Sequence, residues 1–199
     1  MAGLLEAIFG LNEQTVDDLR KYTDNDRDRA EKAYGAAAGT IIRGVEQKSQ
    51  TKEGAESIWD MIRRQVEKGN VKTDSPQPGG VQVRDMDEKE MHDMMKTIFG
   101  DKAPNVQGGF GKVITADPET SKKVFAKALP AVLGQIFGET ERHPDENPQA
   151  LPQVVSEARK QMEQQQPRSA GIFDAILDVD HDGDVDLNDL TGLISRKPK

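Results

Sequence analysis

The stretch Met94-Met95-Lys96-Thr97-Ile98-Phe99-Gly100 repeats, in diverged form, the opening Leu4-Leu5-Glu6-Ala7-Ile8-Phe9-Gly10. In both, apolar residues at helical spacing run up to a glycine, a residue that commonly closes helices. The match continues outward. Val16 answers Val106, and Lys32-Ala33-Tyr34 with Ile41, Ile42 and Val45 aligns with Lys123-Val124-Phe125 with Val132, Leu133 and Ile136, the offset drifting only from 90 to 91 residues. Each copy reads as a short helix ending at glycine, a second short helix and a long amphipathic helix, so the chain carries a duplicated helical unit.

Local signals agree. Asp87 with Glu90 has capping-box spacing, and Asp117-Pro118 sets an N-cap ahead of proline at the first helical position. The long helix of the first copy aligns Ala30, Ala33, Tyr34, Ala37, Ile41 and Val45 on one stripe, with Gly35 and Gly39 allowing close helix approach. A further helix is expected over residues 51–68 with Ala55, Ile58, Trp59, Ile62 and Val66 inward, and another starting near Pro148. Only Val81-Gln82-Val83 alternates as a strand would. The expected fold class is all-α: a first helical repeat (1–69), a linker rich in Pro and Gly (70–86), a second repeat (87–158), a polar linker (159–170) and a small terminal module (171–199). Each half offers few large apolar residues, so the two are expected to share one core.

That module carries the sharpest chemical pattern. Asp178, Asp180, Asp182, Asp184, Asp186 and Asp189 fall at positions 1, 3, 5, 7, 9 and 12 of a calcium loop, with Gly183 at the sixth position, where the chain must turn sharply. The seventh position supplies a backbone carbonyl in such loops, which leaves Asp178, Asp180, Asp182, Asp186 and Asp189 as side-chain ligands. Ile172, Phe173, Ile176 and Leu177 before the loop, and Leu190, Leu193 and Ile194 after it, have the helical spacing of an EF-hand-like helix-loop-helix. An acidic solvated tail is the plainer reading, but it gives no reason for the glycine and both apolar faces to be in register. Asp189 stands where many calcium sensors have Glu, and its shorter side chain makes Mg²⁺ or weakly held Ca²⁺ the alternative to Ca²⁺.

Composition bounds the function. With 35% hydrophobic residues and a formal net charge of −8, the chain has no apolar run approaching the ~18 residues of a membrane span. It also has no basic stripe interleaved with aromatics to draw it to nucleic acid. The first residues include Glu6 and no basic region ahead of an apolar run, so no secretory signal is read and a cytoplasmic location is expected. There is no cysteine, which rules out disulfides, thiolate metal sites and a cysteine nucleophile.

The segment Ile98-Phe99-Gly100-Asp101, the helix with Ala128-Leu129-Pro130-Ala131-Val132-Leu133-Gly134, and Asp178-Val179-Asp180-His181-Asp182-Gly183-Asp184 with Asp189-Leu190 and Gly192-Leu193 together resemble the bacterial family called domain of unknown function 937. The resemblance covers residues 3–195 and implies a helical domain closed by an Asp/Gly loop; the family's name implies no activity. Residues 178–193 also look like half of a dockerin, which uses two such loops.

Catalytic patterns are absent from the sequence: there is no phosphate loop, no Gly-x-Ser-x-Gly elbow and no zinc-helix motif. The glycines at 108, 109 and 111 around Phe110 lack the strand and Lys-Ser/Thr partner of a phosphate cradle and read as packing or turn glycines. His92, His143 and His181 read as surface residues. Met86, Met91, Met94 and Met95 read as core filling ahead of an adaptable partner groove. A non-enzymatic calcium-binding structural or protein-interaction protein is therefore expected, with a protein partner or self-association and no small-molecule substrate. The other classes are a calcium-responsive regulator and an enzyme whose site assembles in space.

Overall fold

The computed structural model describes residues 13–72, 82–83, 86–114, 116–142 and 148–165. These form an all-α protein: α1 (Glu13–Arg20), α2 (Arg27–Ser49), α3 (Lys52–Glu67), α4 (Glu88–Phe99), α5 (Ala103–Val113), α6 (Pro118–Arg142) and α7 (Leu151–Gln165). One 3₁₀ turn, Gly100–Lys102, joins α4 to α5. The two-residue strands β1 (Val71–Lys72) and β2 (Gln82–Val83) pair antiparallel, Val71 opposite Val83. Alternation at 81–83 marked one arm of this pair; a two-residue arm such as β1 is too short to show a period of its own.

Side-chain caps set the helix starts. The Asp26 carboxylate accepts the Arg29 N–H, and the Thr51 hydroxyl accepts that of Gly54 at 3.1 Å, opening α2 and α3. Asp87 accepts the Glu90 N–H at 2.8 Å. The capping box stays half closed, however, because the Glu90 carboxylate accepts from Lys68 Nζ at 2.8 Å and faces Asn70 Nδ2. At α6, Asp117 accepts the N–H groups of Glu119 and Thr120 at 2.9 and 3.0 Å, and Pro118 begins the helix, where its missing N–H costs nothing. α4 stops at Gly100, whose φ of +62° suits a residue without Cβ.

α2 is the central strut. From Ala37 to Val45 only Arg43 is not buried, and the helix packs against α1, α3, α4, α6 and α7. Small side chains make that possible: Ala37, Ala38, Gly39, Thr40 and Gly44 leave room for neighbours on every side. The expected stripe of Ala30, Ala33, Tyr34, Ala37, Ile41 and Val45 is buried throughout. In α3, Ala55, Ile58 and Ile62 are buried, while Trp59 and Val66 lie partly buried against the core. The Trp59 ring stacks on Phe137 of α6 with centroids 4.3 Å apart, and Phe110 of α5 meets Phe125 of α6 edge-on at 4.5 Å. One continuous apolar cluster draws residues from every described helix, so the described helices share one core. No helix among the described residues is long and apolar enough to cross a membrane.

Candidate functional site

The calcium-loop residues Asp178, Asp180, Asp182, Asp184, Asp186 and Asp189, with the apolar faces that flank them, lie outside the described residues, as do His143 and His181. Their fit to a metal is therefore judged on donor chemistry. An all-oxygen, carboxylate-rich set suits a hard divalent cation such as Ca²⁺ or Mg²⁺ and suits a soft metal poorly. Among the described residues, no group of three or more His, Asp or Glu is placed to hold a metal ion.

Among the described residues, three groups of charged side chains tie separate elements together. Glu46 of α2 accepts from Arg159 Nε of α7 at 2.9 Å and faces Arg43 Nη1 at 3.5 Å. All three side chains are about one-fifth exposed, 17–22%, so solvent screens this bridge less than one at the open surface. At the second place, Asp18 of α1 accepts from Lys21 Nζ at 2.7 Å and lies 3.5 Å from Lys127 Nζ of α6. The Lys21 hydrogen bond, helped by the charge of Lys127, holds the Asp18 carboxyl below its ordinary range. Beside it, Lys123 Nζ sits 5.1 Å from the centre of the Tyr22 ring. The third is the network of Gln65, Lys68, Asn70 and Glu90, which ties the end of α3 to the start of α4. Each of these places joins elements distant in sequence, Glu46 and Arg159 being 113 residues apart.

Buried hydroxyls serve the helices that carry them. Thr40 donates to the Ala36 carbonyl at 2.9 Å, Ser121 to Asp117 at 3.0 Å and Thr140 to Ile136 at 2.7 Å. Burial raises the Tyr34 phenol above its usual range, so it stays protonated. His92 is exposed. Met91, Met94 and Met95 are buried core residues, and Met86 packs against the same cluster. The glycines at 108, 109 and 111 lie on α5 with Phe110 fully buried between them. Gly111 is where α5 meets the first turn of α6: an added Cβ would fall 2.5 Å from Ser121 Oγ. Two polar features escaped the sequence reading. Arg159 reaches Glu46 only through the tertiary fold, and Gln107 Nε2 is buried without a hydrogen-bond partner among the described residues.

The family model described as bacterial protein of unknown function (DUF937) matches residues 6–139, and the chain belongs to that family. The match ends well before Asp178, so the resemblance expected to run on to residue 195 is cut back, and the Asp loop rests on its own spacing. No curated protein and no solved structure matches the chain.

Proposed function

We propose that this member of the DUF937 family is a non-enzymatic scaffold or protein-interaction protein, built on two diverged helical repeats, whose C-terminal EF-hand-like loop binds Ca²⁺, with Mg²⁺ as the alternative ion. The observation that carries the reading is the spacing Asp178, Asp180, Asp182, Gly183, Asp184, Asp186, Asp189. Five side-chain carboxylates and one backbone carbonyl at alternate positions of a tight loop converge on one hard cation, and without it the carboxylates repel one another. Metal binding and ordering of such a loop are coupled, since the ligands find their geometry only around the ion.

Support for a scaffold comes from how the helical body spends its polar groups. Its buried hydroxyls of Thr40, Ser121 and Thr140 bond to their own helices, and its half-buried Glu46 and Arg159 join α2 to α7. A single calcium loop also lacks the sister loop that normally covers Val185 and the apolar positions Phe173, Leu177, Leu190 and Ile194, so the helical body, a second copy or a protein partner is the expected cover.

Calorimetry with Ca²⁺ and Mg²⁺ on the wild type and on Asp178→Ala/Asp182→Ala, with light scattering for size, tests the reading. Heat with the wild type that vanishes in the double variant, while the helical far-ultraviolet signal persists, is the expected outcome. Absence of heat with either ion would overturn it.

A further inference from the structure

Thioether sulfur is the most readily oxidised group in this chain, which has seven methionines and no cysteine. Five of the six described methionines, Met61, Met91, Met94, Met95 and Met162, are buried in the core. Met86 differs from them. It is half-buried and packs against that core from the residue just ahead of Asp87, the N-cap of α4. We propose that Met86 is a reversible oxidation site, at which sulfoxide formation by hydrogen peroxide releases the first turn of α4. This inference is independent of the calcium loop.

Position links the oxidation to the release. Met86 and Met91 stand just before the cap and at the fourth helical position, where two apolar side chains staple a helix start to the chain that enters it. The rest of that start is thinly held. Asp87 accepts the Glu90 N–H at 2.8 Å, but the Glu90 carboxylate, which would close the capping box, accepts from Lys68 Nζ instead. In the oxidation a sulfur lone pair of Met86 attacks one peroxide oxygen and the O–O bond breaks. The proton on the transferred oxygen passes to the departing hydroxide, which leaves as water; the sulfur gives up two electrons and the peroxide takes them. A flexible apolar thioether thus becomes a polar, chiral group that fits against an apolar core poorly. Met91 follows. At 6% exposure it is the most accessible of the five core methionines, so an opened helix start presents it to the same oxidant. The change reaches beyond α4, which packs on α2, α3, α5 and α6 and is tied to the end of α3 through Glu90, Lys68 and Asn70.

Peptide mapping of the full chain during exposure to dilute hydrogen peroxide, with hydrogen exchange on the same samples, tests the proposal. Among the six methionines, Met86 should oxidise first and Met91 second, and protection should fall in α4 while α7 keeps its own. Met86→Leu retains an apolar staple without sulfur, so the same exposure should leave its α4 protected and its Met91 reduced. Met86→Gln, polar at the same place, should lose α4 protection with no peroxide at all. Methionine sulfoxide reductases acting on both epimers should restore the oxidised wild type. Earlier oxidation of any of the five core methionines, unchanged α4 protection once Met86 is oxidised, intact protection in Met86→Gln, or equal loss in Met86→Leu would each overturn the proposal. So would a Met86 sulfoxide that the reductases cannot remove, since the change would then be damage and not a reversible site.

Discussion

Gly44 and Gly54 show how little room is left where α2 crosses α4 and where it turns into α3. Alanine is about 1 kcal/mol better than glycine inside a helix, yet at Gly44 its Cβ would lie 2.2 Å from Phe99 Cε1, and overpacking a filled site costs ~1–3 kcal/mol. Phe99 is half-buried, so its ring can swing outward and shed part of the strain. Gly44→Ala should therefore destabilise by about 1 kcal/mol, and by less in a Phe99→Leu background, because the two changes share one contact. Gly54 has no such relief. Its added Cβ would sit 1.8 Å from the Lys48 carbonyl oxygen, a backbone atom held at the α2–α3 corner, so Gly54→Ala should cost about 3 kcal/mol or more. Urea unfolding of Gly44→Ala, Gly54→Ala, Phe99→Leu and Phe99→Leu/Gly44→Ala checks the order; a Gly54→Ala loss smaller than that of Gly44→Ala would contradict this account of the two contacts.

At the level of elements, helix starts govern the acid response. The backbone N–H of Thr120, then its hydroxyl, hold the Asp117 carboxyl below its ordinary value of 3.8. A carboxylate lowered on folding adds stability that is fully present above its unfolded value and is lost as pH falls through the folded one. Asp18, lowered first by its Lys21 hydrogen bond, acts in the same direction. Thermal melts below about pH 4 should thus show a shallower decline for Asp117→Asn, which keeps an acceptor for the same N–H groups but does not titrate. A slope equal to that of the wild type would mean that the cap's charge plays no part in acid unfolding. Caps are also where the sequence spoke most directly, since Asp87 and Asp117-Pro118 act within three residues of themselves. The outer half of the Asp87 capping box failed because Lys68 and Asn70, brought in by the fold, compete for Glu90.

At the scale of the whole fold, the continuous cluster across every described helix implies that the described helices unfold together. Trp59 is the only tryptophan, and its stacking on Phe137 makes its fluorescence a reporter of the seam between α3 and α6. Denaturation followed by this fluorescence and by far-ultraviolet dichroism should give coincident transitions. Two separated transitions would mean that this cluster is not one cooperative core.

The sequence alone determined the all-α class, the helix starts at Asp87 and Asp117-Pro118 and the buried stripe of α2, because a 3.6-residue period and a cap are local properties written over a few adjacent residues. It also carries the Asp178 to Asp189 spacing on which the proposed hard-cation site rests. Tertiary structure decided which helices meet. It set α2 at the centre, brought Arg159 to Glu46 across 113 residues, and placed the close approach at Gly44, since the Gly35 and Gly39 spacing says that a neighbour can come near but not where it arrives. Periodicity gives the buried face of a helix; the partner on that face depends on the shapes and volumes of side chains from the whole chain, which no short window contains.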